Sequence, residues 1–261
     1  MNIFSRMLGA LSPARTFRAQ QGSRIYAIGD VHGRLDLLEE LLAQIKGDIA
    51  ERPSAANFVV LLGDLIDRGP ASAQVIERLL NVADVPAKFS YIMGNHEEIF
   101  LRALSAEPGV AYDWLTFGGD ACVESYGLNP ATLNAMPEQA IADLLTETIP
   151  VRHIEFVRGF VDTVRSGDYL FVHAGIRPGV AIEEQLPHDL RWIRSSFLRD
   201  NKDHGVMVIH GHTITDEVDE HSNRIGIDTG AYRTGLLTAL ALEDDQRWTL
   251  STGLRGQRTL Q

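Results

Sequence analysis

Five short segments of the chain share one pattern, in which an apolar run stops at polar residues that can bind a metal. They are IGDVHGR (28–34), LGDLIDRGP (62–70), MGNHEE (93–98), FVHAG (171–175) and IHGHT (209–213). In α/β proteins the carboxyl ends of buried strands meet along one sheet edge, and sites are built there. Because His, Asp and Asn recur at these ends, the pattern predicts one metal cluster along one edge of a sheet.

The hydrophobic pattern supplies the strands on which those segments would end. Three β-rich runs, each followed by apolar residues at helical spacing, predict a parallel sheet of strand-loop-helix units. They are RIYAI (24–28), NFVVLL (57–62) and AKFSYIM (87–93). Later runs, with one helix near 189–199, predict a second, mixed sheet. These runs are 160–164, 168–172, 205–209, 224–227, 235–242 and 247–251.

Proline and glycine punctuation divides residues 98–160 into short amphipathic segments, which predicts an inserted helical cap. Within it, Gly118 and Gly119 are interpreted as a helix-helix turn, with a backbone approach to the cleft as the alternative. Asp228 and Tyr232 are assigned to turn chemistry by default, although they could line the site from the other side.

Residues 1–23 differ in character from the single domain predicted for 24–261. They carry Arg6, Arg15 and Arg18 and no acidic residue. The default interpretation is a basic, flexible arm. Apolar residues at helical spacing within it leave open weak contact with a membrane surface or a partner helix.

Composition excludes several classes of function. A formal net charge of -11 opposes attraction to nucleic acid. Cys122 is the only cysteine, so an internal disulfide and a cysteine zinc cluster are both excluded, and a reducing, cytoplasmic location is expected. No apolar stretch reaches the ~20 residues that a transmembrane helix needs, so no transmembrane segment is predicted. Because a cysteine cluster is excluded, any metal must be bound by His, Asp and Asn.

The first three segments carry candidate ligands and a candidate titratable group. Asp30 and His32 are two residues apart, so an extended backbone points both side chains to the same side. Asp64 is a candidate bridging carboxylate. Asn95 offers a neutral oxygen ligand, and His96 titrates near physiological pH. Taken singly, each motif is also compatible with a turn or a helix cap.

The last two segments add His173 and His212 as candidate ligands, whereas His210 is interpreted as a core histidine. A lone histidine at a strand end is more often a hydrogen-bonded core residue than a ligand. The five segments together change that balance, because turns and caps would have to deliver two Asp, one Asn and three His to one edge. The joint pattern predicts a metal site.

Taken together, GDVHG, GDLIDRG, GNHE, HAG and GHT, spread over 29–213, resemble the signature of calcineurin-like metallophosphoesterases. Ile214 stands where many phosphodiesterase branches have a second histidine, so the chain resembles the bacterial and phage phosphoprotein phosphatase branch. This resemblance implies an α/β fold in which two mixed β-sheets pack as a sandwich flanked by helices, with the helical cap as an insertion.

The resemblance also implies two divalent metal ions, with manganese favoured and iron or zinc as alternatives. One ion would be held by Asp30, His32 and Asp64. The other would share Asp64 and be held by Asn95, His173 and His212 as well.

By the same resemblance, Arg68 and Arg194 would grip phosphate oxygens together with Asn95. Arg194 follows from the segment WIR (192–194), and an exposed helix arginine is the alternative for it. A hydroxide bridging the two metals would attack phosphorus while His96 protonates the departing oxygen. Asp67 would orient His96 and raise its pKa.

The leading hypothesis is a metal-dependent hydrolase of phosphomonoesters, of the serine/threonine protein phosphatase type. Its partner would be a phosphorylated protein or a small phosphate ester. The alternative is a symmetrical diadenosine tetraphosphate hydrolase, which cleaves a phosphoanhydride with nearly the same ligand motifs. A scaffold without turnover would be expected to lack ligands, yet every ligand position is present in the sequence.

Overall fold

The computed structural model describes residues 15–253 and 258–259, and it contains two stacked β-sheets. The strands are β1 (Ser23–Ile28), β2 (Ala56–Leu61), β3 (Lys88–Tyr91), β4 (Thr163–Ser166), β5 (Tyr169–Val172), β6 (Met207–His210), β7 (Asp219–Glu220), β8 (Arg224–Gly226), β9 (Thr238–Glu243), β10 (Gln246–Ser251) and β11 (Arg258–Thr259). The first sheet has the order β11-β10-β9-β1-β2-β3, and the second has the order β4-β5-β6-β8-β7.

Helices cover both outer faces and form the cap. They are α1 (Leu35–Glu51), α2 (Ser72–Leu80), α3 (Asn95–Leu104), α4 (Val110–Trp114), α5 (Asp120–Ser125), α6 (Pro130–Asn134), α7 (Glu138–Thr148), α8 (Val151–Arg158), α9 (Pro187–Trp192), α10 (Ser195–Leu198) and α11 (Ala231–Thr234), with a π-helical turn at Leu115–Gly119 and a 3₁₀ turn at Ile182–Glu184. The predicted helix near 189–199 is therefore two short helices, because Ile193 and Arg194 between them leave the helical conformation.

Strand pairing corrects one expectation. β1, β2 and β3 are parallel, as the strand-loop-helix units predict, and β5, β6 and β8 are parallel to one another in the second sheet. The runs 235–242 and 247–251 were expected in that second sheet. They form β9 and β10 instead, and β9 pairs antiparallel with β1 in the first sheet. Both sheets are therefore mixed, as the two-sheet fold class requires.

The layer order follows from the alternation of side chains along the strands. In β1, Tyr26 and Ile28 face the core shared with α1, α2 and the cap, whereas Ile25 and Ala27 face the second sheet. The outer face of the second sheet packs its own apolar side chains against Phe197 and neighbouring residues of α9 and α10. The result is a helix-sheet-sheet-helix sandwich, which agrees with the predicted fold class.

The residues predicted to form a flexible arm divide into two parts. Residues 1–14 lie outside the described residues. Residues 15–22 differ from the expectation because Phe17 is buried between the sheets, Arg18 pairs with Asp244 at 2.6 Å, and the Ala19 amide donates to the Asp244 carbonyl. Burial of an aromatic ring anchors this part against the domain. Among the described residues, no helix has both the length and the apolar character needed to cross a bilayer.

Candidate metal centre

The ends of five strands place the predicted site residues around one point of the fold. Asp30 follows β1, Asp64 follows β2, and Asn95 and His96 follow β3. His173 and His212 come just after β5 and β6 of the other sheet. All six side chains are buried, each less than 8% exposed. Because these strands run parallel within each sheet, their carboxyl ends bring distant parts of the chain to one edge.

Two groups of side chains in this region have donor atoms close enough to hold a cation. His32, Asp64 and His96 form the first group, and Asp64, His173 and His212 form the second. Within each group the donor atoms lie within 4.8 Å of one another. Asp64 belongs to both groups, which is the geometry that a bridging carboxylate requires.

Hydrogen bonds to backbone carbonyls fix the tautomers of two of the histidines. Nδ1 of His32 lies 2.8 Å from the Ile66 carbonyl, and Nδ1 of His173 lies 2.8 Å from the Leu62 carbonyl. A carbonyl only accepts, so each Nδ1 carries the hydrogen and donates it. In the neutral ring Nε2 then keeps its lone pair, which is how a protein orients an imidazole to bind a metal. Burial lowers the pKa of His173, but the carboxylates of Asp64 and Asp30 outweigh burial and raise it to about 10, so a cation bound there would displace a proton. Nε2 of His173 faces Asp64 at 3.4 Å.

The surroundings of His212 also bear on whether these residues suit a metal. Its Nε2 is buried and has no hydrogen-bond partner among the described residues, and its Nδ1 lies 3.2 Å from Nε2 of His173. Burial, helped by the nearby His173, lowers the pKa of His212 to about 2, and burial lowers the pKa of His32 to about 3. Both imidazoles are thus neutral at physiological pH, the form that binds metals. A buried polar atom without a partner needs an explanation, and a cation provides one.

Asn95 and Asp30 adjoin these groups in different ways. Oδ1 of Asn95 lies 2.9 Å from Nε2 of His173, so it is placed with the second group. Asp30 belongs to neither group. Its two carboxylate oxygens accept from the His212 amide at 3.2 and 3.1 Å, which holds the backbone that carries His212.

His96 and Asp67 form a close pair beside Asp64. Nδ1 of His96 donates to Oδ2 of Asp67 at 2.6 Å, and Nε2 of His96 lies 4.0 Å from Oδ2 of Asp64. Burial lowers the pKa of His96, but the carboxylates of Asp64 and Asp67 outweigh burial, so the pKa is raised overall. The two carboxylates therefore favour the charged form of His96, and its Nε2 is turned toward Asp64.

The two predicted phosphate-binding arginines both reach solvent next to the ligand groups. Nη1 of Arg68 lies 3.0 Å from Nε2 of His32, and its guanidinium sits 4.9 Å from the centre of the Tyr232 ring. Nη1 of Arg194 donates to the His212 carbonyl at 3.2 Å. Both side chains combine contact with site residues and access from outside, which a substrate-binding cation needs.

The backbone is strained at the residues that carry this chemistry. Seven non-glycine residues in the described part of the chain have positive φ, and five of them belong to this site. Those five are His32 (44°), Asp64 (50°), Asp67 (72°), Arg68 (66°) and His212 (63°). Each such conformation costs about 1–3 kcal/mol and persists only where surrounding contacts enforce it. Strain concentrated at one edge is typical of functional sites, so this edge is the candidate site.

Two segments that the sequence analysis assigned to turns also reach this edge. The Gly118 carbonyl accepts from the Arg68 amide at 2.9 Å, so the cap does approach the cleft. Tyr232 packs edge-on against His32, with ring centres 5.2 Å apart. Asp228 is closer to its default, because it accepts from the Gly230 amide in a turn. His210 lies outside both ligand groups and is buried against Phe197.

The family model of calcineurin-like phosphoesterases matches residues 23–234, which include every predicted site residue. The chain belongs to this family. It is therefore a hydrolase of the metallophosphoesterase type, and members of the family use divalent metal ions.

Named relatives of this phosphoesterase differ in the substrates that their names state. Serine/threonine-protein phosphatase 2 of Escherichia coli is 30% identical over 82% of this chain and 90% of that protein. The symmetrical bis(5'-nucleosyl)-tetraphosphatase of Aromatoleum aromaticum is 28% identical over 61% of this chain, which spans only 46% of that enzyme. A solved structure of a protein assigned as a diadenosine tetraphosphatase has a TM-score of 0.59 at 18% identity, covering 91% of this chain and all of that one, and it supports the shared fold.

Glu97 is a residue of the phosphoesterase site that sequence reasoning did not assign a role. Its carboxylate accepts from the backbone amides of Asp64 at 2.8 Å, Leu65 at 2.7 Å and Gly94 at 3.1 Å. It thereby ties the loop after β2 to the start of α3. The signal was present as a glutamate three residues after the helix N-cap, which is the spacing of a capping box.

Replacing Glu97 by glutamine is expected to lower the free energy of unfolding by about 1–3 kcal/mol, because the amide NH₂ would face backbone donors. Urea denaturation of the variant measures this. Glu124→Gln, an exposed change in α5, is the matched control and should stay within about 0.5 kcal/mol. Equal stability of Glu97→Gln and wild type would show that the carboxylate does not hold the loop.

Proposed function

We propose that this phosphoesterase hydrolyses phosphomonoesters and acts as a serine/threonine protein phosphatase. The observation that carries the proposal is the His96–Asp67 pair, in which a buried carboxylate holds an imidazole next to Asp64. A seryl or threonyl oxygen is a strongly basic leaving group, so its departure gains most from a proton donor. The terminal phosphate oxygen of a departing nucleotide is far less basic and gains less.

Two divalent ions held by the two ligand groups would supply positive charge beside the phosphoryl group and lower the pKa of water. The mixture of imidazole and oxygen ligands suits manganese, which we propose, as well as iron or zinc. We propose that His32 and Asp64, supported by Asp30, hold one ion. Asp64, Asn95, His173 and His212 would hold the other.

Side chains of the protein bind the substrate and transfer the proton. Arg68 and Arg194 bind the phosphate oxygens and, with Asn95, orient the phosphoryl group. As the oxygen of a water molecule bonds to phosphorus, the bond to the ester oxygen breaks and its electron pair stays on that oxygen. Nε2 of His96 gives this oxygen its proton and becomes neutral, while Asp67 keeps the ring oriented through Nδ1.

The runner-up function is symmetrical cleavage of diadenosine tetraphosphate, and the tetraphosphatase relatives favour it. The E. coli phosphatase relative supports the leading proposal more fully, because the match covers 90% of that protein. We place the enzyme in the cytoplasm with a phosphorylated protein as its substrate. A single cysteine, which cannot form an internal disulfide, suits that assignment.

Manganese-dependent phosphate release from phosphoserine and phosphothreonine peptides, measured beside diadenosine tetraphosphate, tests the proposal. We expect peptide turnover to exceed dinucleotide turnover by about tenfold or more, because protonation by a general acid contributes about 10²–10⁴ in rate where the leaving group needs it. Turnover confined to the dinucleotide would replace the proposal by the runner-up.

A further inference from the structure

Trp114, in the helical cap, reaches the acid-base pair directly. Its indole Nε1 donates to Oδ2 of Asp67 at 2.9 Å, and this is the same oxygen that accepts from Nδ1 of His96. The Trp114 side chain is fully buried and packs against Phe100, with ring centres 5.6 Å apart. The indole is therefore a fixed donor, and it joins the cap to the carboxylate that orients His96.

The other oxygen of Asp67 increases the importance of the indole contact. Oδ1 of Asp67 is buried and has no hydrogen-bond partner among the described residues. The rotation of this carboxylate is set by the donors on Oδ2, from Trp114 and His96, and by the buried thiol of Cys122, which also interacts with Asp67. His96 is the group to be positioned and a thiol is a weak donor, so the indole N–H is the strong donor that fixes Asp67 independently of His96.

The same cap segment also holds the residue next to Asp67. The Gly118 carbonyl accepts from the Arg68 amide at 2.9 Å. Gly118 has φ of 115°, and a Cβ there would lie 2.6 Å from Cγ of Arg68. Asp67 and Arg68 both have positive φ, so the cap contacts two adjacent strained residues at once. Contacts of this kind are what strained backbone needs in order to persist.

We propose that Trp114 is a positioning residue for proton transfer from His96, acting through the carboxylate of Asp67. The role rests on the proposed phosphomonoesterase function. In this arrangement the cap takes part in catalysis from outside the ligand groups, because its indole fixes the direction in which His96 presents Nε2.

Trp114→Phe keeps an aromatic ring and removes the N–H. We expect the turnover number for phenyl phosphate to fall about tenfold, with little change in KM, since one hydrogen bond to a charged group is lost. The fall for 4-nitrophenyl phosphate should be under about threefold, because its leaving group needs little protonation. The matched control is Trp248→Phe in β10, where the indole Nε1 has no partner among the described residues and turnover should be unchanged.

A double-mutant cycle separates positioning from a general structural role. In a His96→Asn background, Trp114→Phe should cost less than about twofold further, since the group that it positions is already gone. Losses that multiply in this background, or equal losses with both substrates, would overturn the proposal. If the wild-type protein has no phosphomonoesterase activity, the proposed function itself is wrong. That outcome is distinct from the outcomes above, which compare variants of an active enzyme.

A spectroscopic readout covers the case in which Trp114→Phe does not fold. The chain has three tryptophans, so Trp192→Phe and Trp248→Phe assign the Trp114 indole N–H resonance by elimination. Asp67→Asn should move that resonance upfield, because an amide oxygen is a weaker acceptor than a carboxylate. A resonance that does not move would show that the indole does not donate to Asp67.

Discussion

Asp64→Asn is expected to lower metal-dependent phosphate release by about 10³-fold or more. Asp64 is the one residue common to both ligand groups, and its carboxylate lies 3.4 Å from Nε2 of His173 and 3.7 Å from Nε2 of His32. An amide of the same size lacks the charge and one of the two ligating oxygens. Loss of the charge stabilisation that the ions provide is worth several kcal/mol, and each 1.4 kcal/mol is about tenfold in rate.

The control for Asp64→Asn is Asp189→Asn, because Asp189 is also buried but pairs with Arg177 at 2.7 Å, outside both ligand groups. That variant should keep most of the wild-type activity. Phosphate release should be assayed with manganese in excess, and metal content measured on the same samples. Activity of Asp64→Asn within tenfold of wild type would contradict a shared ligand.

His96→Asn is expected to lower the turnover number by about 10²–10⁴-fold for substrates with basic leaving groups. The loss should be much smaller with 4-nitrophenyl phosphate. His96 also belongs geometrically to the first ligand group, so it has two possible roles. Its Nδ1 donates to the carboxylate of Asp67, whereas Nδ1 of His32 and Nδ1 of His173 donate to backbone carbonyls, so His96 alone of the three has the carboxylate partner that supports a proton donor. We therefore expect a proton donor.

Metal content decides between these roles of His96. The His96→Asn protein should hold as many manganese ions per chain as wild type, and His173→Asn should hold fewer, which makes it the matched comparison. If His96→Asn loses an ion, or loses equal activity with good and poor leaving groups, His96 is a ligand and the proposed general acid lies elsewhere.

Local sequence pattern was enough to predict the strand ends and the cap. The short β-rich apolar runs of β1 and β2, and polar residues directly after both strands, predicted where Asp30 and Asp64 would lie. Proline punctuation predicted the helical character of 98–160, which contains α4 to α8. These features depend on neighbours in sequence, so one sequence carries them.

Features that depend on distant pairing were not predictable in this way. β9 and β10 carry ordinary strand patterns, and nothing in those patterns shows which sheet they join. The contact from Trp114 to Asp67 joins residues 47 positions apart and depends on how the cap docks. Residues 15–22 were assigned to a flexible arm because their composition resembles that of residues 1–14, yet Phe17 is buried between the sheets.

The central claim is that two cations lie side by side at the carboxyl ends of the strands and share Asp64. Crystals grown with manganese and measured at an X-ray energy where manganese scatters anomalously test it most directly. The account predicts two anomalous peaks, one beside His32 and Asp64 and the other beside Asp64, His173 and His212. A single peak, or two peaks of which only one lies beside Asp64, would contradict it.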